Sequence, residues 1–132
     1  MIEMRVSALQ VGIFVIALVL AISHAFYVQF ISDSLSIGGY FLVSTILFAA
    51  GAFAALTSGK LFKPAVIGLF VLSLIDNRLI LVTATTPTPL SGGQAFGFST
   101  DWMPPGSVQV FVAQVVLMVL TAYVLLAKRK AA

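Results

Sequence analysis

The alternation of apolar and polar positions divides the chain into four apolar runs, residues 6 to 31, 37 to 57, 64 to 85 and 107 to 127, separated by three polar connectors. A helix needs about 20 residues to cross a hydrocarbon core about 30 Å thick, and each run is of that order. "SDSLS" follows the first run as a short polar turn. "SGKLFKP" follows the second, with a glycine to end one helix, two lysines, and a proline to open the next. Connectors this short make neighbouring helices antiparallel. The pattern predicts an all-α fold: an integral-membrane four-helix antiparallel bundle, one domain over residues 1–132.

The third connector breaks the pattern. Residues 86 to 106 are rich in Thr, Pro, Gly and Ser, and Pro87, Pro89, Pro104 and Pro105 exclude a regular helix. Phe98 and Trp102 suit the headgroup level. A long outer loop between the third and fourth helices is expected, either an ordered cap or a plain linker.

Composition sharpens the membrane reading. Of 132 residues 61% are hydrophobic and only 8% are charged, against about 25% charged in soluble domains, and the mean hydropathy is +1.14. The four acids and seven bases cannot cover the core of a soluble domain this size. The net charge of +3 is better explained by membrane topology than by nucleic acid, and no nucleic-acid partner is expected.

With four alternating spans, Arg5, Lys60, Lys63, Lys128, Arg129 and Lys130 fall on one side, and the opposite connectors carry only Asp33 and Asp101. The positive-inside rule then puts both termini in the cytoplasm, in a multi-pass protein of the cell membrane. So strong a bias argues against dual topology. "MIEMR", the apolar run and "SHA" at residues 23 to 25 also fit a signal peptide, but the run continues through "FYVQFI", which favours an uncleaved anchor. No internal repeat is found.

Helices in lipid approach one another closely through small residues. The second span offers Ala50, Gly51, Ala54 and Ala55, and the pair Gly51 and Ala55 marks a packing face, within the chain or between copies. In the first span Ser7, Gln10, Phe14, Ala17, Ala21 and His24 form the expected inward stripe. In the third it is Ala65, Gly68, Leu72, Asp76, Leu79 and Thr83, and in the fourth Gln114 and Thr121.

One cluster interrupts these apolar runs: "LIDNRLIL", residues 74 to 81. Counted at about 1.5 Å per residue from the cytoplasmic ends, Asp76, Arg78, Gln114 and His24 all lie in the outer half of the membrane. Residues two apart on a helix are rotated by about 200°, so Asp76 and Arg78 seek different partners. Asp76 is expected to pair with His24 or Gln114 inside, as a helix staple or as a proton or cation site. Arg78 is expected to reach outward to headgroups or to an acid on another subunit.

Further chemistry is sparse. There is no cysteine and only one histidine, so no metal site and no cofactor are expected, and a haem on His24 is not indicated. "SGGQAFG" leads into more loop rather than a helix, which removes the physical basis of a phosphate site. No nucleophile, base and orienter set is present, so no catalysis is expected of the isolated chain.

The expected role is a small non-catalytic accessory or structural subunit of a larger membrane complex, with a respiratory or another oxidoreductase complex as the kind of assembly in view. Its partners would be the lipid bilayer and other integral-membrane subunits or copies of itself. The alternatives are a small oligomeric transporter or channel with a polar site around Asp76, and a self-assembling structural membrane protein.

Overall fold

A computed structural model describes residues 8–28, 35–57, 59–86, 97, 98, 100 and 106–131. Its regular secondary structure over these residues is all helical: α1 (Ala8–Ala25), α2 (Leu35–Ala54), α3 (Phe62–Thr85) and α4 (Ser107–Ala131). Three helices, α1, α3 and α4, are long and apolar enough to cross a membrane, as is expected of a membrane protein. In α2, which has 20 residues, the apolar stretch Gly38–Ala54 is somewhat shorter.

The sequence explains where the helices start and stop. Pro64 sits in the first turn of α3, where its missing N–H breaks no helical bond, so α3 begins at Phe62, ahead of the expected residue 64. The fourth helix runs to Ala131 rather than stopping near 127, because Lys and Arg are good helix formers and suit a helix C-terminus. The first helix ends well short of residue 31. After Ala25 the Tyr27 N–H bonds back to the His24 carbonyl at 3.0 Å, a tightened last turn. The Tyr27 ring lies 5.2 Å from Phe41 of α2, so the chain turns toward α2 while its sequence is still apolar.

Helix α1 packs against α2 and α4, and α3 against α2 and α4. Inward positions recur in steps of four and three: Ile13, Ala17, Leu20 and His24 on α1, Ser44, Phe48 and Ala52 on α2 with Ala55 just past its end, Phe62, Val66, Leu69, Ser73 and Asp76 on α3, and Val110, Gln114, Leu117, Thr121 and Val124 on α4. Such a repeat keeps one seam of each helix turned to its neighbours. The opposite faces carry Val15, Ile22, Ile46, Phe53, Ile67, Val112 and Val119, all exposed, as lipid requires.

The inward stripe expected on α1 is found from Gln10 to His24, with Ser7 outside the described residues. On α3 the expected stripe is displaced. Gly68 is exposed, and a Cβ built on it meets nothing within 4 Å. Steps of four from Asp76 through Leu72 to Gly68 each carry the line about 40° round the helix. The seven-residue step from Asp76 to Leu69 nearly keeps it, and Leu69 and Val66 are the residues that fill the core.

The long connector is tied down at described points. The Gly97 N–H donates to the Ala84 carbonyl at 2.9 Å, satisfying one of the free carbonyls at the end of α3. Gly97 does this at φ +74°, a conformation that favours glycine. The Gln109 side chain donates to the Thr100 carbonyl at 2.6 Å. Phe98 is exposed. Asp33, Trp102, Asp101 and Arg5 lie outside the described residues, as do the side chains of Lys128, Arg129 and Lys130.

Candidate functional site

Asp76 is 2% exposed, and its carboxylate is where side chains from the three other helices converge. From α1, His24 Nε2 lies 2.7 Å from Asp76 Oδ2. From α2, the Tyr40 hydroxyl donates to Oδ1, and from α4 the Gln114 amide donates to Oδ2. The Asn77 amide in turn donates to Gln114 Oε1 at 3.3 Å, which fixes the way round the Gln114 amide sits. Ser44, one turn along α2 from Tyr40, is buried.

The protonation of the His24–Asp76 pair follows from its neighbours. His24 Nδ1 lies 2.7 Å from the Leu20 carbonyl, which can only accept, so Nδ1 carries a hydrogen. At 2.7 Å, Nε2 and Oδ2 cannot face each other lone pair to lone pair, so one proton sits between them. Imidazolium with carboxylate, or imidazole with carboxylic acid, gives the same net charge of zero. A neutral pair avoids the large cost of a lone buried charge. The imidazole is enclosed by Phe48 and Phe41, with ring centroids at 5.1 and 5.8 Å.

Thus His24, Asp76 and Gln114 are brought together, and Asp76 engages both of the partners considered for it. Arg78 is not part of the cluster. It is exposed on the far side of α3 and makes no ion pair with any described residue. Sequence reasoning missed Tyr40 and Asn77 as members. Tyr40 stands in "IGGYF" near the start of its apolar run, where hydropathy gives no sign that its hydroxyl turns inward.

Gly51 and Ala55 work elsewhere, toward the other end of α1. A Cβ on Gly51 would lie 2.6 Å from Leu69 Cδ2, so this glycine is what lets α2 approach α3. Ala55 is fully buried, and its carbonyl accepts from Gln10 Nε2 at 3.1 Å, as the Thr57 carbonyl does at 3.2 Å. Gln10 therefore caps the C-terminal end of α2 from across the helix pair.

Between the Asp76 cluster and the Gln10 end, the interior is filled by Ile13, Ala17, Leu20, Phe48, Leu69 and Leu117, each 0 or 1% exposed. The Thr121 hydroxyl in this layer bonds to its own helix at Leu117. Ser73 is fully buried there, and its hydroxyl has no hydrogen-bond partner. Among the described residues no three of His, Cys, Asp and Glu gather as a metal site would need. The arrangement can hold one proton and join four helices. No family model, curated protein or solved structure matches the chain.

Proposed function

We propose that this chain is a small non-catalytic subunit of a larger integral-membrane assembly in the cell membrane, folded as a four-span antiparallel bundle with both termini cytoplasmic. The carrying observation is the closed state of the Asp76 cluster. His24, Tyr40 and Gln114 all direct their polar atoms to one carboxylate, and the layer beneath is closely filled, mainly by apolar side chains. A conducting site needs groups that can be exchanged with a passing ion and a wet route to both sides. Here the polar groups are engaged with one another, which suits a part whose task is to keep its shape.

Gln10 at the start of α1 meets Ala55 and Thr57 at the end of α2, and His24 at the end of α1 packs on Phe41 near the start of α2, as antiparallel neighbours do. Lysine and arginine placement supplies the orientation. The Gly51 face is filled by Leu69 of the same chain, so it gives no support to self-assembly through that face.

Reconstituted alone into liposomes under a proton or sodium gradient, the chain should pass neither ion faster than empty vesicles. In its source membrane, Asp76→Asn should lower the amount of assembled complex recovered. Ion flux by the wild-type chain that Asp76→Asn abolishes, with assembly intact, would replace this reading by the transporter.

A further inference from the structure

Arg78 stands out because everything around it is apolar and nothing described neutralises it. At about 100° per residue, it falls near the midline of the exposed arc of α3 marked by Ile67, Val71, Leu74 and Val82, and about 160° from Asp76. A shallow groove of 580 Å³ runs over it, lined by Leu74, Ile75, Arg78, Leu79 and Val82. A cation in an apolar span costs about 2.5 to 3.5 kcal/mol near the bilayer centre unless something offsets it. Asp76 on the same helix points the other way and is already engaged.

Depth narrows what the counter-charge is. The 24 residues of α3 extend about 36 Å, against a hydrocarbon thickness of about 30 Å. Arg78 lies seven residues before the helix end at Thr85, about 10 Å along the axis. Its side chain can run its methylenes along the helix and hold the guanidinium at headgroup level. Phosphate is abundant there. A carboxylate on a neighbouring protein helix would have to sit in an apolar span at the same depth, at a similar insertion cost.

We propose that this groove binds an anionic glycerophospholipid, its phosphate held by the Arg78 guanidinium and its acyl chains lying on Leu74, Ile75, Leu79 and Val82. The planar fork of the guanidinium matches two phosphate oxygens at once, which an ammonium cannot do. A free phosphate would leave the apolar walls uncovered. A zwitterionic lipid carries its own cation beside the phosphate and competes poorly.

The test is native mass spectrometry of the purified full chain in detergent with equimolar phosphatidylglycerol and phosphatidylcholine. Wild type should retain one more phosphatidylglycerol than Arg78→Gln, whose affinity falls about fivefold, equivalent to about 1 kcal/mol. Arg78→Lys should fall between them, and Lys60→Gln with Lys63→Gln should keep the Arg78-dependent lipid. Equal retention by wild type and Arg78→Gln would overturn the proposal. So would equal retention of phosphatidylcholine, or full displacement by inorganic phosphate.

Discussion

Replacing Asp76 by leucine leaves the His24 imidazole, the Tyr40 hydroxyl and the Gln114 amide without their common acceptor. Breaking one half of a buried pair typically costs about 3 to 5 kcal/mol, whereas exchanging both halves for apolar residues is often close to neutral. Asp76→Leu and His24→Leu should therefore each destabilise the protein on that scale, and the double variant should lose much less than the sum, as read by thermal unfolding in detergent. Tyr40→Phe removes one donor of three and should cost about 1 kcal/mol. Ser73→Ala discards a buried hydroxyl with no partner and should be neutral or stabilising by about 1 kcal/mol. His24, Asp76 and Gln114 were legible in the sequence because a polar residue in an apolar run needs an internal partner. Tyr40 was not, since a tyrosine near a span end is ordinarily explained by the interface, and only the third dimension shows its hydroxyl turned inward.

At the scale of the helices, two glycines make opposite predictions. Gly51→Ala puts a methyl into Leu69, which is itself 1% exposed and has little room to move. Overpacking of this kind costs about 1 to 3 kcal/mol, and the double variant with Leu69→Ala should lose less than the sum of the two single variants. Gly68→Ala meets open space and should raise stability by up to about 1 kcal/mol through helix propensity alone. Parallel unfolding curves of the two variants check both. Helix existence was legible from apolar run length, because a membrane span needs a fixed number of residues. The end of α1 and the register of α3 were not. Hydropathy does not record where Tyr27 turns toward Phe41, and lining up Gly68 with Asp76 ignored that bulky Val66 and Leu69 decide which face fills the core.

For the whole molecule, the polar cluster lies at one end and the Gln10 cap toward the other, with a closely packed, mainly apolar layer between. Both ends are held by side chains reaching across helices, and among the described residues the exposed helix faces away from the helix ends are apolar apart from Arg78 on α3 and Tyr123 on α4. In the described cluster the polar side chains are engaged with one another, and this is the observation on which the proposed role in a larger assembly rests. The sequence carried the membrane class and the polar positions, but a partner leaves no mark in one chain's hydropathy. The most direct test is native mass spectrometry after mild detergent extraction from the source membrane, with every co-purifying chain identified. Larger integral-membrane subunits should be recovered in fixed stoichiometry with this chain. Recovery only as a monomer or as a homo-oligomer would contradict the proposed role.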